Sequence, residues 1–261
     1  MEGLGEAIVE LLAELEPIPL WGSHTLDKSA LIPTNYMVFL VVALLLTFIF
    51  MFVAARKVSL VPESRLANLG EMAVEFVRDS IVMDVMGPAG LKYLPFVLTV
   101  FLAVLFNNFL GLIPGLKGGT GTLGTTFTWG IMVFIVYNTI GFRKNGFIGY
   151  MKSFIPSGTP MLLKPFIFVL ELISHFLRPF TLGVRLYANI YAGHIVLGVF
   201  GIFVAMAIHS LSIGSAVTGA LSLVMQVIMY AFEVFVAVIQ AYVFAILTAV
   251  YINGALHATE H

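Results

Sequence analysis

Two apolar runs close this chain, Met161 to His209 and Ser215 to Leu256, each longer than 40 residues. One perpendicular crossing of a bilayer needs only about 20 residues. Each run therefore holds either two spans or one long, strongly tilted helix, and the sequence leaves both open. Composition agrees with a membrane setting. The chain is 60% hydrophobic and 10% charged, against about 45–50% and about 25% in soluble domains. A membrane β-barrel would show short alternating segments rather than long continuous runs. The expected fold is an all-α integral membrane protein, one membrane domain over residues 1–261, with about five membrane-crossing helices and additional interfacial helices.

Three shorter apolar stretches come first. One runs from Thr34 to Ala55 and stops at Arg56 and Lys57; a second covers Tyr93 to Pro114; a third covers Phe127 to Phe142 and stops at Arg143 and Lys144. Between the first two, Pro62 to Met86 mixes charge with apolar residues at helical spacing. Leu66, Leu69, Ala73, Phe76 and Val77 share one side, while Glu71, Glu75 and Asp79 are polar, which predicts an interfacial helix. Gly115 to Thr126 reads as a flexible Gly/Thr loop, and Asn145 to Pro160 as a polar link containing Lys152.

Residues 1–33 form an acidic N-terminal segment with Glu2, Glu6, Glu10, Glu14 and Glu16. It lacks the positive start and apolar core of a signal peptide, and a short amphipathic surface helix is expected there. Residues 34–160 supply peripheral spans and loops, and 161–257 the two long helices. Orientation follows the Lys/Arg balance. Arg56, Lys57, Arg65, Arg78 and Lys92 flank one polar segment, and Arg143, Lys144, Lys152 and Lys164 flank another. Both should face the cytoplasm, with the N-terminus outside and the C-terminus inside, in a bacterial inner membrane.

Several chemistries lack support. Gly119-Thr-Gly121-Thr-Leu-Gly124 matches a literal G-x-G-x-x-G, but a dinucleotide site needs a βαβ unit around it and here membrane spans flank it. There is no Walker A lysine pattern, no H-E-x-x-H and no G-x-S-x-G. The chain has no cysteine and a net charge of −1, so thiolate metal sites are excluded and no nucleic-acid partner is indicated. No cofactor or metal is expected, and no active site of the chain's own.

The informative residues are ionisable groups inside the two long runs. A charge at bilayer depth costs about 2.5–3.5 kcal/mol on insertion scales and marks a pathway or a paired site. The first run carries Glu171, Ser174, Arg178, Thr181, Arg185 and Asn189, spaced by three and four along one side of a helix. His194 falls on the opposite side. The second run carries Ser222, Gln226, Glu233 and Gln240, again on one side. Spacing alone leaves two readings for Glu233: a transport role, or simple neutralisation of Arg185 or His194.

The segment Leu182-Gly-Val-Arg185-Leu-Tyr-Ala-Asn189-Ile-Tyr-Ala-Gly193-His194 resembles the signature helix of the F-type ATP synthase a-subunit family. Glu171 and Arg178-Pro179 stand where that family has a Glu and a basic-Pro pair. Glu233 and Gln240-Ala-Tyr-Val-Phe resemble its last helix, and Asn107-Asn108 with Gly111-Leu-Ile-Pro114 its second span. The resemblance runs from about Asn35 to the C-terminus. The acid and the histidine, Glu233 and His194, stand exchanged between the two long helices relative to the best-known bacterial pattern.

The resemblance implies two long tilted helices curved against a rotating c ring, with two offset half-channels that couple the ion gradient to ATP synthesis. It implies as partners the c-ring subunits, b-type peripheral stalk subunits and the rest of the F-type complex, within the lipid bilayer. Arg185 would be the permanent cation facing the ring, with Asn189 and Gln240 orienting it. His194 and Glu233 would serve one half-channel. Glu171, with Ser174 or His175, would serve the other, near Arg178. His175 and His209 also have a plain reading as interfacial histidines. The proton is the expected ion, because His194 can carry it. The competing function is a stand-alone secondary transporter, which would need internal repeats around a midplane site; none is evident.

Overall fold

In the computed structural model the described residues are 2–19, 34–56, 65–113, 115–155, 159–209 and 212–258. Lys57, Pro114, the start of the expected interfacial helix at Pro62 and part of the link before Pro160 lie outside them. The order is α1 (Glu2–Glu14), α2 (Asn35–Arg56), α3 (Arg65–Val77), a π-helical stretch (Arg78–Met83), α4 (Asp84–Met86), a 3-10 turn (Pro88–Tyr93), α5 (Leu94–Leu112), a 3-10 turn (Gly119–Gly121), α6 (Leu123–Lys152), α7 (Lys164–His209) and α8 (Ile213–Leu256). Five helices are long and apolar enough to cross a membrane, and no strand occurs among the described residues.

The open question about the long runs is answered: each is one helix, of 46 and 44 residues. At about 1.5 Å per residue, α7 is roughly 69 Å long, against a hydrocarbon core of about 30 Å. It fits a bilayer only when tilted far beyond the usual angle of about 20°. Pro179 lies inside α7 without ending it. Close packing holds this region: a Cβ on Gly130 of α6 would overlap the Pro179 carbonyl oxygen, and one on Gly183 would press on the Phe127 backbone. Gly130→Ala therefore overpacks a backbone contact that cannot swing away. We expect a loss of about 1–3 kcal/mol, read as a lower thermal midpoint of the purified chain in detergent.

Ser212 caps the start of α8. Its side chain accepts from the Ser215 amide, and Ser215 returns a bond to the Ser212 amide. This capping box starts α8, which packs antiparallel to α7. The C-terminal half of α8 is the buried half. Ala241, Phe244, Ala245, Ala249 and Ile252 recur at steps of three and four and pack with Val97, Val100, Phe101 and Val104 of α5.

Two local expectations change. Helix α6 continues past Arg143 and Lys144 to Lys152, through what reads as a link, with a break at Gly146 (φ 70°, ψ 162°). The left-handed glycine absorbs the bend. Beyond it Tyr150 and Phe154 turn back onto His175, with ring centroids 6.2 and 4.9 Å away. The Gly/Thr loop is shorter than expected and tied down. Gly119 and Thr120 are buried, and the Gly119 amide donates to Asn107 Oδ1 at 2.7 Å. In α3 the inward side is the small-residue side, Ala67, Gly70 and Val77, with Gly70 against Ala54 of α2; Leu66, Leu69 and Phe76 stay exposed. Small residues win the interior because they let α3 lie close to α2; of the larger side chains, Phe76 still sets its ring near Phe101 and Tyr242, with centroids 5.7 and 5.8 Å away.

Candidate functional site

The α7–α8 pair organises the site. Three contacts define one antiparallel register. A Cβ on Gly193 would overlap the Glu233 carboxylate, one on Gly201 would lie 3.5 Å from Gln226 Nε2, and one on Gly219 would overlap Ala207 Cβ. Small residues on one helix thus seat larger side chains of the other. Carried two turns further, the same register sets Arg185 at the level of Gln240.

Arg185 is on the outward side of α7 and exposed, as are Ser174, Thr181, Ala188 and Ala192; Glu171, Arg178 and Asn189 are half-buried. The expected polar stripe thus runs along the edge of an open face. On α8 the stripe faces inward: Ser222 and Gln240 are buried, Gln226 and Glu233 half-buried, while Leu221, Phe232, Val234 and Ile239 are exposed.

The side chains do not all meet as expected. No hydrogen bond joins Arg185 to Asn189 or Gln240 among the described residues, and the buried Gln240 Nε2 has no partner. Glu233 rests on Gly193, the neighbour of His194, with no direct hydrogen bond between the acid and the histidine. Glu171 is paired: Arg178 Nη2 donates to its Oε1 at 3.2 Å, and the guanidinium also stands 5.4 Å from the Tyr251 ring centre.

His194 opens on a cavity of about 640 Å³ at the α1 end of the molecule. Gln226, Tyr230, Tyr36, Glu14 and Lys117 share its walls. Burial pulls the Lys117 ammonium below the ordinary lysine range, and Glu14 opposes the shift. His175 is enclosed by the protein. It is 3% exposed, its Nε2 stands 2.9 Å from Asn138 Oδ1, and Phe134, Tyr137, Phe154 and Phe176 surround the ring.

Comparison with known proteins decides the family. The ATP synthase A chain family matches residues 36–253. An ATP synthase subunit a of Brucella canis is 42% identical over 226 residues, covering 86% of this chain and 88% of the relative. One of Bartonella bacilliformis is 38% identical over 226 residues, with 86% and 87% covered. The chain belongs to the ATP synthase A chain family.

Within this member of the family, sequence reasoning passed over the residues that support the site. Asn108 is fully buried on α5 and its Nδ2 donates to the Ala237 carbonyl at 3.2 Å, one turn before Gln240. Its neighbour Asn107 holds the Gly119 loop. The asparagine pair was visible as part of the family resemblance, but only the fold shows that it fixes α8 and the outer loop. Lys117 gave no sequence signal beyond being a lone charge. Since no hydrogen bond joins Gln240 to Arg185, Gln240→Ala should reduce transport less than loss of Arg185. Side-by-side uptake rates check this, and an equal loss would give Gln240 a direct part.

Proposed function

We propose that this chain carries protons past a ring of c subunits, as the stator part of an F-type ATP synthase, and so couples the proton gradient to ATP synthesis. The observation that carries the reading is Arg185: an exposed arginine near the middle of a 46-residue apolar helix. An arginine stranded at membrane depth calls for a partner of opposite charge or for water. Its guanidinium keeps its charge in any protein environment. It can therefore attract an ionised carboxylate on the ring and favour the deprotonated form. The same fixed charge repels protons and closes a direct leak between the two sides.

Two offset half-channels account for the remaining polar groups. The cavity beside His194 opens at the end that holds α1 and the loop after α5, with Gln226 in its wall, and Glu233 lies further inward along α8. Glu171 and Arg178 lie past Arg185 toward the other end, with Ser174 exposed beside them. That end also carries Arg65, Arg78, Lys92, Arg143, Lys144, Lys152 and Lys164, whereas Lys117 is at the α1 end. The imbalance supports a cytoplasmic C-terminus and an external N-terminus in a bacterial membrane. The exposed apolar faces of α2 and of the first half of α8 leave room for lipid and for b-type stalk subunits.

The docking face can be tested by cross-linking. The chain holds no cysteine, and Ala188 and Ala192 are small, exposed and close to Arg185 on α7. Ala188→Cys or Ala192→Cys should form disulfides with single cysteines placed beside the ring's ion-binding carboxylate. Cross-linking from Phe48→Cys on α2, with none from α7, would overturn the proposed face.

A further inference from the structure

Helix α1 precedes the family-matched region, residues 36–253, yet, with the residues just after it, it forms one wall of the cavity beside His194, through Leu11 and Glu14 of the helix and Leu15 and Ile18 beyond it. A free amphipathic helix on the lipid surface would need no specific polar ties. Here the last residue of α1 and the residues that follow it, Leu15 and Ile18, have several. Lys117 Nζ donates to the Glu14 carbonyl, where the end of a helix dipole favours a cation. The same ammonium stands 5.3 Å from the Tyr36 ring centre. The Tyr36 hydroxyl donates to the Leu15 carbonyl at 2.8 Å. The Asn35 amide donates to the Ile18 carbonyl at 3.0 Å, and the Ile18 amide donates to Asn35 Oδ1 at 3.2 Å. Further up α1, Leu11 packs so closely on Gly198 of α7 that a Cβ there would overlap it. Among the described wall residues Lys117 is the only lysine or arginine.

We infer that α1 is a latched cover over the outer cavity, and that Lys117 is the positioning residue that holds it in place and so sets access from the outer solution to His194. The consequence for transport rests on the proposed function; the cover itself does not. Lys117 joins three elements at one point: the loop after α5, the start of α2 and the end of α1. Replacing it by glutamine removes the charge, and with it the charge-assisted strength of the bond to Glu14 and the attraction to the Tyr36 ring, whereas arginine can keep both.

The test uses the assembled complex in right-side-out vesicles, with Gly201→Cys as reporter. Gly201 is in the cavity wall and has room for a side chain. The probe is a membrane-impermeant, anionic methanethiosulfonate. Losing a cation at the mouth would by itself slow an anionic probe, so acceleration means opening. Lys117→Gln should raise the labelling rate about tenfold, the weight of one charge-assisted hydrogen bond. Lys117→Arg should restore the native rate. Tyr36→Phe should raise labelling less than Lys117→Gln, and a Leu11→Cys/Gly198→Cys disulfide should slow it in every background. Unchanged or slower labelling in Lys117→Gln, or no disulfide at 11 and 198, overturns the cover. ATP-driven uptake in the same variants separates the two claims. Faster labelling with altered uptake supports both. Faster labelling with native uptake keeps the cover and removes this cavity from the ion route.

Discussion

Arg185→Ala is expected to abolish ATP-driven proton uptake in inverted vesicles while the complex stays assembled. The two halves of this expectation have separate grounds. Arg185 is exposed and makes no hydrogen bond or ion pair among the described residues, so alanine breaks no packing and leaves no orphaned partner. Removing a charge at bilayer depth relieves a cost of about 2.5–3.5 kcal/mol, which favours insertion of α7. A loss of uptake therefore reports the missing cation and not a misfolded helix. Arg185→Lys should also fail for the most part. Lysine offers a compact charge without the planar fork, and it can shed its proton when desolvated. Dye-quench assays of uptake, with the ring and stalk quantified in the same membranes, check both variants. Native uptake in Arg185→Ala would end the proposed role.

Gly193→Ala should lower uptake by roughly ten- to hundredfold, the order of loss when a reacting group is displaced by about 1 Å. The new Cβ would occupy the place of the Glu233 carboxylate. That carboxylate ends a flexible side chain, so it can swing aside at small cost to stability. The penalty then falls on function, because Glu233 leaves its seat on Gly193, the chain neighbour of His194. Shortening the acid should relieve the overlap, so Glu233→Asp is expected to recover part of the loss in Gly193→Ala while harming the native chain. A double variant that is simply additive would mean that Gly193 does not act through Glu233. The same logic applies to His194 and Glu233, whose substitutions should combine non-additively if they form one relay.

How much of this was visible beforehand varies by element. The two long runs announced long helices, but nothing in them distinguished one helix from two. The packing of Gly130 and Gly183 around Pro179, and the Ser212 cap ahead of α8, mark each run as one helix. The extension of α6 beyond Lys144 was hidden because Arg143 and Lys144 look like the end of a span, and the return of Tyr150 and Phe154 onto His175 is a contact that no local pattern announces. Arg185, His194 and Glu233 stood out in the sequence because ionisable groups are conspicuous on apolar helices. Their supports did not. Asn108, Gly193 and Lys117 act through contacts with residues between 40 and 129 positions away, or through space they leave open. Hydropathy patterns carry no such information.

The central claim is that ions pass only where this chain meets a ring. The most direct measurement is proton conduction in liposomes under an imposed potential, with the chain reconstituted alone and together with its c ring. The account predicts no conduction by the chain alone, conduction with the ring, and loss of that conduction with Arg185→Ala. Conduction by the chain alone, unaffected by adding the ring, would contradict it and point to a transporter that works by itself.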